Sequence, residues 1–211
     1  IIWAPLEKGI QSVSLSANWM WPCNNEGEDE RLYKAVQAAS DFAIELGINI
    51  PTGKDSLSMK QKYSDKEVLS PGTVIISAAG QCADFTRVIE PVGKLNQGSL
   101  YYINLSQEDL ALGGSSFAQT LNAIGQITSG IASAKDFAQT FDFIQEGIKT
   151  DKICAGHDIS SGGLITCLLE MCFSTQNLGA EIDLSELGQS DFVKLLFAEN
   201  SGIMVQLTTD S

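Results

Sequence analysis

Apolar residues recur with the 3.6-residue period of an amphipathic helix in several stretches of the chain. The pattern predicts helices over residues 28–46, 134–149 and 164–173, with a shorter helical run over residues 117–124. Apolar or alternating stretches between them are typical of strands. They cover residues 11–20, 59–63, 72–82 and 99–105. The segment 197–206 is predicted as a helix end, a glycine turn and then a further strand.

The order of these elements predicts two subdomains. One helix and three strands before residue 83 form an α+β unit, with a turn over residues 64–67. The composition then shifts over residues 88–98, which contain a proline and two glycines and are typical of a linker. We therefore expect an α+β subdomain over residues 1–90 and the start of an α/β subdomain over residues 91–211.

Composition limits the classes of function. Hydrophobic residues make up 44% of the 211 positions and charged residues 18%, as in a folded protein. A net charge of −13 with only 13 Lys and Arg argues against binding to nucleic acid. The five cysteines show no Cys-x-x-Cys spacing, and no apolar run is long enough to span a bilayer. These features predict a cytosolic protein with reduced thiols. Because the chain lacks a first Met and stops within a predicted strand, we expect a fragment of a longer protein.

The stretch over residues 51–59 is the densest in reactive side chains. It places Gly53, Lys54, Asp55 and Ser56 in consecutive positions between a predicted helix and a predicted strand. A glycine lets backbone N–H groups approach an anion, a lysine neutralises phosphate and a serine donates to it. The stretch predicts a phosphate-handling loop, although the same residue types also build an ordinary turn. It is not a Walker A loop, because Lys54 is followed by Asp55 and no glycine lies five residues before Gly53.

A second such stretch covers residues 155–164. Asp158 and Ser160 precede a helix that begins after Gly162 and Gly163. A carboxylate, a hydroxyl and free helix N–H groups suit Mg²⁺ together with a nucleotide phosphate. His157 is the only histidine. It is either a general base or, as we favour, a hydrogen-bonded structural residue.

Three other features have a functional and a structural interpretation. Trp19 and Trp21 form either an aromatic platform for a ligand or part of the core. The acidic residues at 26–30 are either a metal site or a solvated helix start, which we favour. The glycine- and serine-rich residues 112–118 are either an anion site or a helix cap, which we also favour. The segment 197–206 adds no predicted chemistry.

Taken together, these motifs resemble the family of large, multidomain phosphoribosylformylglycinamidine synthases. The resemblance follows in order over nearly the whole chain, at residues 15–20, 27–29, 53–59, 70–71, 112–115, 157–164 and 197–202. It implies a fold like that of aminoimidazole ribonucleotide synthetase, with the end of the N-terminal-type subdomain and the start of the C-terminal-type subdomain. Such enzymes convert formylglycinamide ribonucleotide, ATP and glutamine to formylglycinamidine ribonucleotide. ATP activates the formamide oxygen, and ammonia from a glutaminase domain displaces phosphate.

The resemblance also implies roles for single residues. Gly53 would approach ATP, Ser56 would bind the substrate and Lys54 would balance phosphate charge. Small relatives carry a Mg²⁺-binding Asn at the position of Lys54; a protonated lysine cannot ligate Mg²⁺, so phosphate charge is the role expected here. Asp158 would hold Mg²⁺, and Ser160 would hold an auxiliary nucleotide such as ADP. The family's second Asp in this motif is a serine here, which weakens the metal site.

The family's glutaminase triad and the remaining ligands of the auxiliary Mg²⁺ would lie outside this sequence. We therefore expect the chain alone to be catalytically silent and to depend on the rest of the same polypeptide. An alternative is a non-catalytic, nucleotide-binding structural half. A third possibility is a related thiamine-monophosphate or selenophosphate enzyme. Such enzymes are not expected to carry the motifs that this chain has at residues 18–20 and 53–56.

Overall fold

The computed structural model describes residues 1–106, 108–131 and 133–209. The chain forms two compact units. Unit 1 contains residue 1 and residues 6–83, and unit 2 contains residues 2–5 and residues 84–211. The predicted subdomain boundary between residues 90 and 91 stays a prediction.

Unit 1 consists of a three-stranded sheet, a hairpin and one long helix. In chain order the elements are β1 Ser14–Met20, α1 Glu28–Leu46, β2 Asn49–Ser56, β3 Lys60–Lys62, β4 Glu67–Leu69 and β5 Thr73–Ala79. The central strand β1 pairs in parallel with β2 and antiparallel with β5. Strands β3 and β4 form a separate antiparallel hairpin. The unit is therefore α+β.

Helix α1 has the predicted bounds, because both ends are marked in the sequence. Gly27 and Gly47 flank the helix in the left-handed conformation, and the Gly47 N–H donates to the carbonyls of Ala43 and Ile44. Glu28, Asp29 and Glu30 lie in the first turn, where negative charge is favourable toward the helix dipole. This position confirms that the acidic segment forms the start of a helix.

The predicted loop around Gly53 is wrong as secondary structure. Residues 49–56 form strand β2, in register with β1, so that Gly53 pairs with Ala17 and Lys54 with Asn18. Pairing along a neighbouring strand overrides the local turn preference of Gly, Asp and Ser. The sequence analysis also missed β4, and β1 starts later than predicted because a 3₁₀ turn occupies Gly9–Ser12.

Unit 2 consists of a three-stranded antiparallel sheet with helices. The described elements are β6 Leu100–Asn104, α2 Ser116–Thr120, α3 Ala134–Lys149, β7 Ile153–Ile159, α4 Gly163–Phe173, α5 Phe192–Phe197 and β8 Gly202–Leu207, with 3₁₀ turns at Phe85–Arg87 and Ser185–Leu187. The strand order is β6-β8-β7. Throughout the described residues, no helix combines the length and apolar character needed to cross a membrane.

Two apolar clusters cover the two faces of the unit 2 sheet. On β8, Met204 belongs to the cluster with α4, whereas Ile203 and Val205 belong to the cluster with α3. Successive side chains of a strand point to opposite faces, so α3 and α4 lie on opposite sides of the sheet. Ile144 of α3 is 0% exposed, and burial of one such side chain contributes about 1.5 to 3 kcal/mol. The apolar residues whose spacing predicted α3 form the helix face that packs in this core.

Helix α2 is shorter than the predicted run over residues 117–124. It ends at Thr120, and Asn122 and Gly125 both have positive φ, of 54° and 76°. A backbone in the left-handed region cannot continue an α-helix. Leu121 and Ile124, which suggested the longer helix, are 63% and 78% exposed.

Arg87 stabilises the C-terminal end of α3. One guanidinium nitrogen, Nη2, donates to the carbonyls of Ile148 and Lys149, both at 2.8 Å, and lies 2.7 Å from Oδ1 of Asp151. We expect Arg87→Ala to lower the free energy of unfolding by about 1 to 2 kcal/mol, since cations and donors at a helix C-terminus satisfy its last carbonyls. Urea unfolding measures the change. Lys135→Ala, at the exposed start of α3, serves as the control, and equal effects of the two variants would contradict the prediction.

Candidate functional site

The residues of the first motif lie within β2, an edge strand of the unit 1 sheet. Along β2, Gly53, Lys54, Asp55 and Ser56 pair in register with consecutive residues of β1. A Cβ at Gly53 would lie 2.1 Å from the Ala17 carbonyl oxygen. The strands therefore approach too closely for any side chain at this position. This contact gives Gly53 a structural reason to be glycine, independent of any ligand.

A groove of about 400 Å³ lies beside these residues. Its walls come from β1, β2 and α1, and its lining is Ala17, Trp19, Leu32, Val36, Ile50, Thr52, Gly53, Lys54, Asp55 and Leu57. Apolar walls with one cation and one carboxylate are typical of small-molecule sites. Ser56 lies outside the lining. In the described chain Lys54 is exposed and has no ion pair, so its charge is available to an anion.

The two neighbouring tryptophans have different environments. Trp21 is 6% exposed and therefore belongs to the core, as its packing interpretation predicts. Trp19 is half-buried and lines the groove. Trp19 is therefore placed where it could serve as an aromatic platform for a ligand, whereas burial excludes Trp21 from that role.

The second motif lies at the end of β7 in unit 2. Asp158 is the second-last residue of the strand, and both Asp158 and Ser160 are exposed. Oδ1 of Asp158 accepts a hydrogen bond of 2.8 Å from Nε1 of Trp3. Gly162, with a φ of 91°, is the N-cap residue directly before α4. The carboxylate and the hydroxyl thus face solvent just before a helix start, as the sequence predicts.

His157 is held by neighbouring structure. Its Nδ1 atom lies 2.8 Å from the Asp158 carbonyl oxygen, and its Nε2 atom lies 3.1 Å from Oε2 of Glu170 on α4. Both ring nitrogens therefore have partners within the unit. The arrangement favours the structural interpretation of His157 over the role of a general base.

Glu199 is the residue that sequence reasoning missed. Its Oε1 atom accepts hydrogen bonds from the backbone N–H groups of Ser116 and Gly162, both at 2.8 Å. These two amides begin α2 and α4, the two helix starts for which an anion was considered. The carboxylate of Glu199 therefore binds a backbone N–H group at both helix starts. The start of α2 is also capped by Ser115, as predicted, because its hydroxyl accepts from the N–H of Ala118.

Asn200, next to Glu199, connects a second set of loops. It is 1% exposed; its Oδ1 accepts from the N–H of Ala111, and its Nδ2 donates to Ser106 Oγ and to the Asp109 carbonyl. A buried amide with all these partners fixes the backbone around it. The segment 197–206, for which no chemistry was predicted, therefore holds both glycine-rich stretches of unit 2 in place.

Two carboxylates, those of Asp158 and Glu170, lie at or near the end of β7. Burial, with further contributions from Asp158 and Glu170, raises the pKa of the Cys167 thiol to about 12. This thiol is neutral at pH 7 and is not a nucleophile.

A divalent cation fits this site only in part. Among the described residues, no group of three or more His, Cys, Asp or Glu side chains could hold a metal ion. Asp158 would supply one carboxylate. Mg²⁺ is often bound by one or two carboxylates, with water and substrate phosphates completing its octahedron. The donors present are therefore compatible with Mg²⁺ that arrives with a nucleotide, and not with a metal bound by this chain alone.

Comparisons with known proteins cover both units. The family model described as the FGAR-AT PurM_N-like domain matches residues 1–81, and the model described as AIR synthase related protein, C-terminal domain, matches residues 100–210. "Probable phosphoribosylformylglycinamidine synthase" of Caenorhabditis elegans is 36% identical over 99% of this chain. The phosphoribosylformylglycinamidine synthase of Homo sapiens is 34% identical over 94% of the chain. The chain spans only 16% and 15% of these two relatives.

Solved structures share the fold at low identity. PurL of Thermotoga maritima, solved in complex with FGAR, has a TM-score of 0.61 at 13% identity, covering 93% of this chain and 31% of PurL. The hydrogenase maturation protein HypE has a TM-score of 0.57 at 16% identity, covering 95% and 62%. These likenesses confirm the predicted fold class, that of AIR synthase. Since the match to the AIR synthase related model extends over more than half of the 211 residues, the chain belongs to the AIR synthase related family.

Proposed function

We propose that this chain is part of a phosphoribosylformylglycinamidine synthase, an ATP-dependent ligase of purine biosynthesis. The observation that carries the proposal is the 34% to 37% identity to three such synthases over 94% to 99% of the chain. The structural neighbours include T. maritima PurL complexed with FGAR and with ATP, which supports the same substrates here.

In the proposed reaction, ATP transfers its γ-phosphoryl group to the formamide oxygen of formylglycinamide ribonucleotide. Ammonia then attacks the activated carbon and phosphate leaves, which yields formylglycinamidine ribonucleotide. The groove of unit 1 suits a phosphorylated substrate, because the exposed charge of Lys54 lies beside apolar walls. We assign Lys54 to the balance of phosphate charge and Gly53 to the approach of ATP. We assign Ser56, which follows the lining residue Asp55, to binding of a part of the substrate that extends beyond the groove lining.

We assign the end of β7 to an auxiliary nucleotide with Mg²⁺. Asp158 would be the carboxylate ligand from this chain, and Ser160 would donate to a phosphate oxygen. When bound, the cation neutralises phosphate charge. Glu199 already occupies the Gly162 N–H, so the nucleotide would use other donors at this helix start.

The remaining partners lie outside this chain. Ammonia would come from a glutaminase domain, and the other half of the synthetase from the same polypeptide. The five cysteines are all free thiols, which is consistent with our placement of the protein in the cytoplasm. We expect the 211-residue chain alone to show no turnover. Turnover of ATP by the chain with formylglycinamide ribonucleotide and ammonia would contradict this.

A second candidate function is a non-catalytic, nucleotide-binding structural half. It is favoured by the way in which Glu199 and Asn200 connect the glycine-rich stretches of unit 2 to the rest of that unit. Under this alternative, substitutions in the groove leave turnover intact, whereas substitution of Asp158 lowers thermal stability.

Lys54→Ala in the complete synthase polypeptide distinguishes the two functions. We expect kcat/KM for formylglycinamide ribonucleotide to fall about 10-fold to 100-fold, because a hydrogen bond to a charged group contributes roughly 1.5 to 3 kcal/mol. The melting temperature should not change, since Lys54 is exposed. Lys8→Ala, at another exposed lysine of unit 1, is the matched control. Unchanged kinetics in Lys54→Ala would favour the structural half.

A further inference from the structure

The first residues of the chain form a strap on unit 2. This strap, residues 2–5, groups with unit 2 although the residues that follow it in sequence form unit 1. Nε2 of Gln145, a residue only 3% exposed, donates to the carbonyls of Ile2 and Ala4, at 2.8 and 2.9 Å. The N–H of Ile89 donates to the Trp3 carbonyl at 2.8 Å. Backbone groups on both sides of Trp3 are therefore fixed.

The side chain of Trp3 is fixed as well. A Cβ at Gly156 would lie 2.1 Å from the Trp3 ring, so the ring packs directly on the glycine backbone of β7. Gly156 and Asp158 are two residues apart on this strand and share a face. The ring that covers Gly156 thereby carries its Nε1 atom to Oδ1 of Asp158, at 2.8 Å.

We propose that Trp3 is a positioning residue for Asp158. Its indole N–H holds one carboxylate oxygen, and the other oxygen, Oδ2, receives no hydrogen bond from the described residues and is available to a cation. An indole can only donate, so Trp3 orients the carboxylate without competing with it as a ligand. Hydrogen-bond partners of a metal ligand fix its orientation in this way. The inference rests on the proposed auxiliary site.

Trp3→Phe tests this role, because it removes the N–H and retains a ring on Gly156. We expect the Kd of the 211-residue chain for Mg·ADP to rise about tenfold, the lower end of the usual effect of such partners. Binding of ADP in excess EDTA should not change. Tyr101→Phe, which removes an exposed hydroxyl from β6, the edge strand that does not pair with β7, is the matched control and should leave Mg·ADP binding unaltered.

A double-mutant cycle separates positioning from general structural support. Asp158→Asn keeps an oxygen that can accept from Trp3 but removes the charge. In that background Trp3→Phe should add less than about twofold to the Kd, because coupled residues are non-additive. Equal losses with and without Mg²⁺, or equal losses in both backgrounds, would overturn the inference.

The outcomes also separate the inference from the proposed function. If Trp3→Phe binds Mg·ADP as well as the wild-type chain does while Asp158→Asn weakens the binding, the role of Trp3 fails and the auxiliary site stands. If the wild-type chain binds no Mg·ADP, the proposal that its own residues form a nucleotide site fails, and the inference with it.

Discussion

Asp158→Asn is expected to weaken binding of Mg·ADP by the 211-residue chain by about a hundredfold. Removal of one member of a close charge pair costs roughly 2 to 5 kcal/mol, which corresponds to a loss of about 30-fold or more in affinity. Among the described residues no acidic cluster can replace this carboxylate. Isothermal titration calorimetry measures the change.

The design isolates the charge from the shape of the side chain. Asparagine retains the oxygen that accepts from Trp3, so the end of β7 should keep its structure and the melting temperature should change little. Asp142→Asn, at an exposed position of α3, removes a charge from the same unit without approaching the site. An unchanged Kd in Asp158→Asn would remove the auxiliary Mg²⁺ site from the proposed function.

Glu199→Ala is expected to lower the stability of unit 2 by about 2 to 4 kcal/mol. The carboxylate accepts from the N–H groups of Ser116 and Gly162, and hydrogen bonds to a charged group each contribute roughly 1.5 to 3 kcal/mol. Without the carboxylate, both amides lose their acceptor and the helix starts lose a negative charge at their N-termini. Urea unfolding gives the change in free energy.

Hydrogen exchange locates the effect of Glu199. The amides of Ser116 and Gly162 should exchange faster in Glu199→Ala, and faster than their neighbours. Glu199→Gln keeps an acceptor oxygen and should cost only about 1 kcal/mol, roughly the difference between a hydrogen bond to a charged acceptor and one to a neutral acceptor. Glu146→Ala, at an exposed position of α3, is the control for loss of a carboxylate. If exchange at the two amides is unchanged, Glu199 does not hold the two helix starts.

Helices α1, α3 and α4 could be predicted because their signals are local. The bounds of α1 follow from flanking glycines and an acidic first turn, and α3 follows from apolar residues spaced by one turn. Strand β2 could not be predicted in this way. Its Gly, Asp and Ser residues favour a turn, and only pairing with β1, some 35 residues away in sequence, makes them a strand.

In the candidate site of unit 2, only the exposed polar residues could be predicted from the sequence. Asp158 and Ser160 are recognised because they stand beside glycines that begin a helix. The residues that hold them in place could not be recognised, because they are distant in sequence. Trp3 lies 155 residues from Asp158. Glu199 lies 37 residues from Gly162 and 83 residues from Ser116. No local pattern encodes contacts at such separations. Only the fold brings them together.

The strap makes unit 2 discontinuous in sequence, with unit 1 inserted into it between residues 5 and 84. On the ribosome, unit 1 can therefore fold as soon as it emerges, whereas the strap must wait until α3 and β7 have been synthesised. A cleavage between residues 5 and 6 would leave residues 6–83 intact, yet it would break the covalent connection between Trp3 and β7, so that Trp3 would stay on β7 only through a binding equilibrium.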